Sequence, residues 1–139
     1  MFSKILVAVD GSEQSLRAAG LAGELARRMH ADICVVTAFD PIPEFIGDPD
    51  RQRIVSGQMN RAEEALHKGV EAMGDIEGEI EEEIIEGPAA EAIIRIAETR
   101  GNDLIVMGTR GLGQLRGLLL GSQSQKVVSH APCPVLLAR

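Results

Sequence analysis

Five short aliphatic runs recur along the chain, and the segments between them carry helical spacing. The runs are Ile5-Leu6-Val7-Ala8-Val9, Ile33-Cys34-Val35-Val36, Ile84-Ile85 at the end of an acidic stretch, Leu104-Ile105-Val106-Met107 and Val135-Leu136-Leu137-Ala138. Each is too short for a helix of its own and is bounded by turn or polar residues, which is how buried strands read. Strand and helix in strict alternation leave few solutions. The chain is expected to be an α/β protein, a single doubly wound five-stranded parallel sheet with helices on both faces, occupying residues 1–139 as one domain.

The intervening segments support this. Leu16, Ala19, Gly20, Gly23, Ala26 and Met29 form a narrow stripe of mostly small residues that predicts a helix lying close on the sheet, with Arg27, Arg28 and His30 suited to its negative end. Pro41, Pro43, Gly47 and Pro49 predict an irregular exposed loop over 39–50, placed to cover a site. A stripe of Ile54, Gln58, Ala62, Leu66, Val70 and Met73 predicts a second, amphipathic helix. The run Glu79–Glu86 reads as an acidic edge strand, since charge along an edge discourages pairing with other chains. Gly87-Pro88 then starts a third helix, with Pro at an early helical position and Gly101 ending it. A short helix over 122–130 precedes the last strand.

Charge and composition narrow the function classes. With 14 basic and 21 acidic residues the net charge is -7, and aromatic residues make up 2% with no Trp or Tyr. Such a surface repels phosphate backbones and has no stacking platform for bases, so nucleic acid is not expected as a partner. A nucleobase would have to be gripped by aliphatic and backbone groups. No apolar run approaches the ~18 residues of a membrane span, and Asp10 comes too soon for a signal peptide. Cys34 and Cys133 form neither a C-x-x-C pair nor a secreted framework. The expectation is therefore a cytoplasmic protein without a membrane partner. His30, His67 and His130 lack paired ligand spacing, so no metal centre is expected.

In doubly wound sheets ligands bind beyond the carboxyl ends of the strands, which directs attention to the turns after the first and fourth. The fourth strand runs into Gly108-Thr109-Arg110-Gly111, nine residues, then Gly121-Ser122-Gln123-Ser124 opening a helix. Glycine permits close backbone approach, and a helix start offers unpaired N–H groups with a positive dipole, so phosphate is a natural occupant. Ser122 and Ser124 add hydroxyls, and Arg110 and Arg116 place positive charge in an acidic chain. The plainer alternative is a loop whose serine merely caps the helix. The segment is not the P-loop G-x-x-x-x-G-K-[ST], and Asp10-Gly11-Ser12 is not a dinucleotide fingerprint.

The spacing Gly108-x-x-Gly111, nine residues, Gly121-Ser122 resembles the ATP-binding signature of universal stress proteins. The opening Ile5–Ser12 and the close His130-Ala131-Pro132-Cys133-Pro134-Val135 resemble that family's beginning and end, so the likeness spans nearly the whole chain. It implies a Rossmann-like sheet in the order 3-2-1-4-5 and ATP (or ADP or AMP) across the first and fourth strand ends. It also implies a homodimer through the C-terminal strand Pro134 to Ala138. Carried over by position, Asp10 lies at the ribose and adenine end, with helix capping as its alternative role. Ala8, Val9 and Ala38 line the base pocket, continued by Met107 and Gly108. Gly111 turns the loop over the nucleotide beside Arg110, and Gly121, Ser122, Gln123 and Ser124 hold the phosphates, with Mg2+ arriving on the nucleotide and Asp10 in its outer shell. No nucleophile, base or terminal-phosphate lysine is recognisable, so the first reading is a nucleotide-responsive regulatory module. The alternatives are a slow ATP hydrolase or adenylyl-transfer enzyme assisted by Lys126 or Arg110, and a nucleotide-free interaction dimer.

Overall fold

The computed structural model describes residues 1–109 and 120–139. Its elements are β1 (Lys4–Ala8), α1 (Glu13–Met29), β2 (Asp32–Phe39), α2 (Asp50–Met73), β3 (Ile80–Glu86), α3 (Ala89–Arg100), β4 (Leu104–Gly108), α4 (Ser122–His130) and β5 (Val135–Ala138). The five strands form one sheet in the order β3-β2-β1-β4-β5, and every neighbouring pair is parallel. The order implied by the family resemblance is therefore the one observed.

Because side chains alternate across a strand, each central strand feeds two cores. Ile5, Val7, Val9, Ile33, Val35 and Val106 pack on one face against Ala18, Ala19, Ala22, Ala26, Leu66 and Met73 of α1 and α2. Leu6, Cys34, Val36, Ile105 and Met107 pack on the other against Ala90, Ile93, Ile96, Ala97 and Val127 of α3 and α4. The sheet interior thus explains the near-continuous aliphatic runs, since strands buried on both faces cannot alternate with polar residues.

Small residues set the spacing on the first face. A Cβ on Gly23 of α1 would stand 2.2 Å from the carbonyl oxygen of Met73 in α2, so only glycine allows the helices to approach this closely. The buried face of α1 is Ser15, Ala18, Ala19, Ala22, Gly23 and Ala26, rotated from the stripe expected from the sequence, and Leu16 and Met29 are only partly covered. Arg27 and Arg28 do fall in the last turn, while His30 follows as the C-cap at φ 55°. The third helix also starts slightly later than expected: Pro88 is the cap residue and Ala89 the first helical one.

β3 is an edge strand, with Glu81, Glu82 and Glu86 exposed. Arg100, in the last turn of α3, forms ion pairs with Glu81 and Glu83 and fastens this edge to the helix. No helix among the described residues is long and apolar enough to cross a membrane.

Asp103 ties the start of β4 to the start of β1. Its carboxylate accepts from the Ser3 N–H at 2.9 Å, the Ser3 hydroxyl at 3.0 Å and the Lys4 N–H at 3.0 Å. Partial burial works to raise its pKa, but the hydrogen bonds from Ser3 and Lys4 together outweigh it and hold the group below the ordinary carboxylate value. A lowered folded-state pKa means stability that is present above the unfolded value and lost as pH falls through the folded one. Asp103→Ala is expected to cost about 1 kcal/mol at neutral pH, less than the ~1.5–3 kcal/mol usual for bonds to a charged group because water still reaches the carboxylate. Urea denaturation should show that gap constant above about pH 5 and closing as the pH drops below about 4.

Candidate functional site

The first turn begins where β1 ends. Gly11 takes φ +86°, a conformation that side chains rarely adopt, and this lets the chain reverse directly into α1. Ser12 is the N-cap: its hydroxyl accepts from the Ser15 N–H at 3.2 Å. Asp10 does not cap α1, the alternative role that the sequence allows it. Its Oδ1 instead accepts from the Ser12 N–H at 2.9 Å, bracing the turn, while the carboxylate stays exposed.

At the same end of the sheet, the backbone draws the fourth turn together. The Gly121 N–H donates to the Thr109 carbonyl at 2.8 Å, and the Thr109 N–H donates to the Ala138 carbonyl at 2.9 Å. Gly121 is the N-cap of α4, so Ser122 is already the first helical residue, is exposed, and caps nothing. The first intrahelical acceptor of α4 is the Gly121 carbonyl, taken by the Gln125 N–H at 2.9 Å. The N–H groups of Ser122, Gln123 and Ser124 are left without an intrahelical partner, as at any helix start. The Ser124 hydroxyl is not free as a donor to a ligand. It is buried and donates to the Gly108 carbonyl at 3.0 Å, joining α4 to the end of β4.

Between these turns lies a cleft of about 260 Å³. Ala8, Val9 and Asp10 from the β1 end, Val36 and Ala38 from β2, and Met107 and Gly108 from β4 form one side of it. Ala89 and Ile93 of α3, Gly121 with Gln123 and Ser124 of α4, and Ser15 of α1 complete the lining. Alternation places Ala8, Val36, Ala38 and Met107 on the sheet face that α3 and α4 cover. The two alanines leave space where larger side chains would fill the layer. The result is a largely apolar slot with polar groups at its mouth, close to the lower end of the ~300–1,000 Å³ usual for small-molecule sites.

Nine of the residues singled out in the sequence therefore line one cleft: Ala8, Val9, Asp10, Ala38, Met107, Gly108, Gly121, Gln123 and Ser124. Ser122 adjoins it in sequence without lining it. Arg110, Gly111 and Arg116 lie outside the described residues. Ser15, Val36, Ala89 and Ile93 line it without having been singled out. Ala89 and Ile93 follow Gly87-Pro88 and belong to a helix that sequence spacing marks only as core-facing. The proline-rich segment 40–49 is irregular, as expected, but contributes nothing to the lining.

The remaining candidates sit elsewhere. His30 contacts Glu77, His67 contacts Glu71, and His130 contacts the Lys126 carbonyl, each on the surface. Among the described residues no group of three or more His, Cys, Asp or Glu side chains is arranged to hold a metal ion, and Asp10 is the one acid lining the cleft. Both cysteines are free thiols. Burial raises the pKa of Cys34, with Arg100 opposing and Glu83 adding to the rise, and burial with Asp103 nearby raises that of Cys133. Neither is poised as a thiolate.

Comparisons with known proteins agree with this architecture. The model of the universal stress protein family matches residues 1–139. A Thermus aquaticus protein described as "Universal stress protein in QAH/OAS sulfhydrylase 3'region" is 45% identical over 141 residues, covering 100% of both chains. The solved structure of universal stress protein UspA from Lactobacillus plantarum superposes with a TM-score of 0.88 at 26% identity, covering 99% of this chain and 98% of that one. A universal stress protein solved in complex with cAMP superposes with a TM-score of 0.74 at 28% identity, covering 99% and 97%.

Removing the Ser124 hydroxyl tests how the cleft wall is held. Ser124→Ala should cost about 1–2 kcal/mol, the loss of a buried hydrogen bond that leaves the Gly108 carbonyl short of a partner. The check is a chemical denaturation midpoint for both proteins, with an unchanged midpoint excluding this role.

Proposed function

The chain belongs to the universal stress protein family along its whole length, and from that premise we propose that it is a regulatory module that binds an adenine nucleotide, with ATP as its ligand. The observation that carries the reading is the pairing of an apolar slot with a helix start in one cleft. A flat heterocycle fits between the sheet residues Ala8, Val36, Ala38 and Met107 and the helix residue Ile93. The phosphates then reach the N–H groups of Ser122, Gln123 and Ser124, where unpaired donors and the helix dipole favour an anion. Asp10 stands at the mouth for the ribose hydroxyls, and Arg110 and Gly111 follow Thr109 in the sequence. The cAMP complex of a relative supports an adenine nucleotide as the class of ligand.

A magnesium ion would accompany ATP and not occupy a site of its own. Asp10 is a single exposed carboxylate with Oδ1 already accepting from Ser12, which suits contact through water more than direct ligation. The regulatory reading is preferred to a catalytic one for a positive reason. The hydroxyls of Ser15 and Ser124, the two serines lining the cleft, donate to the Ser12 and Gly108 carbonyls, and Lys126 lies 3.9 Å from Glu91 in the groove between α3 and α4.

The second part of the proposal is a homodimer through β5. It is the edge strand opposite β3, and Val135, Leu136 and Leu137 are half-buried there. Light scattering should give twice the chain mass for the wild type and a monomer for Leu137→Lys. A monomeric wild type would remove this part.

The ligand assignment is tested by denaturing protein purified without added nucleotide and identifying what is released by mass spectrometry, followed by calorimetric titration with ATP and magnesium. Recovery of ATP at close to one per chain is expected. Ala38→Leu, which fills the slot, should weaken ATP at least tenfold while thermal stability is kept. No released nucleotide and no heat on titration would leave the nucleotide-free interaction module as the reading.

A further inference from the structure

The third helix begins with a defect in its own capping. Its cap residue is Pro88, which has no side-chain acceptor for the free N–H groups of the first turn. The acceptor comes from elsewhere: the Gln123 side chain of α4 takes the Ala90 N–H on its Oε1 at 2.9 Å. This contact settles which way the amide is turned, because a backbone N–H can bond only to the oxygen. Gln123 also lines the cleft, and it is half-buried there. Its Nε2 keeps two N–H donors, and among the described residues no acceptor engages them.

We propose that Gln123 is a specificity-determining residue of the cleft: with Oε1 held by Ala90, its Nε2 donates a hydrogen bond to an acceptor on the bound nucleoside. This rests on the nucleotide reading above and adds a side-chain contact to it. The slot around Gln123 is lined chiefly by aliphatic groups, Ala8, Val36, Ala38 and Ile93 among them. A fixed donor in such a wall rejects a ligand that lacks a matching acceptor more strongly than an aliphatic wall can, because the mismatch leaves a half-buried N–H unpaired. The donor is also preorganised, since the Ala90 contact fixes the amide before the ligand arrives.

The test separates the two jobs of the side chain. Gln123→Glu keeps an acceptor for Ala90, at a helix start that favours negative charge, and removes the donor. Gln123→Met removes both at similar size. Calorimetric titration with adenosine and with ATP, and thermal melting without ligand, are run on all three proteins. The expected result is a tenfold or greater loss of adenosine affinity in both variants, with the ligand-free melting temperature lowered in Gln123→Met only. Equal adenosine affinity in wild type and Gln123→Glu would overturn the inference. So would a loss confined to ATP, which is charge repulsion of the phosphates. Wild-type protein that binds neither ligand would overturn the nucleotide reading and this inference with it, whereas wild-type binding that the variants share overturns this inference alone.

Discussion

The ladder on both sides of β1 is the constraint on which the rest of the molecule depends. Ile5, Leu6 and Val7 pair with β2 on one side and with β4 on the other, so β1 is the strand at which the chain's direction of travel across the sheet reverses. α1, which follows β1, lies on one face of the sheet, and α4, which precedes β5, lies on the other. Right-handed crossovers permit no other arrangement, and the turns that follow β1 and β4 must diverge. The gap between them is a consequence of topology before any side chain is considered. What the sequence adds is the choice of small residues, Ala8 and Ala38, that keep the gap from filling.

The same economy of size runs through the packing of the helices. α1 contributes alanines, a serine and a glycine to the core, and its closest approach, Gly23 on the Met73 carbonyl, joins it to α2 by backbone and not by large side chains. A chain with 2% aromatic residues cannot bridge wide gaps between layers, so it brings the layers together instead. The aliphatic volume is concentrated in the sheet, where Ile5, Leu6, Ile33 and Ile105 are almost wholly enclosed.

Most of the fold was legible because it is encoded locally. Four of the five strands are built on a contiguous aliphatic run, Gly101 and Gly121 sit at helix boundaries, and the acidic residues of β3 announce an edge. The misreadings have local causes too. The stripe read from the sequence of α1 shares Ala19, Gly23 and Ala26 with the buried face and departs from it at Leu16, Gly20 and Met29, because alanine and glycine occur on several sides of this helix and make its periodicity degenerate. The true face runs through Ala18 and Ala22. At α4, Gly121 and Ser122 are both acceptable cap residues, and only backbone geometry shows that glycine takes the position. The bond from Ala90 to Gln123 joins residues 33 apart in sequence, and the one from Ser3 to Asp103 joins residues 100 apart, so no window of sequence contains either. The cleft was legible through the spacing of its glycines, while its α3 wall, Ala89 and Ile93, looked like ordinary core.

The two edges of the sheet differ in a way that governs how copies of the molecule can meet. β3 presents carboxylates strapped down by Arg100, and β5 presents Val135, Leu136 and Leu137. An edge that repels its own kind and an edge that does not cannot be joined head to tail without setting carboxylates against aliphatic groups. The homodimer proposed above would join the uncharged β5 edges of two copies about a two-fold axis, leaving the charged β3 edges at the two ends. In such a dimer the remaining edges carry the carboxylates of β3, and that charge opposes any further extension of the sheet.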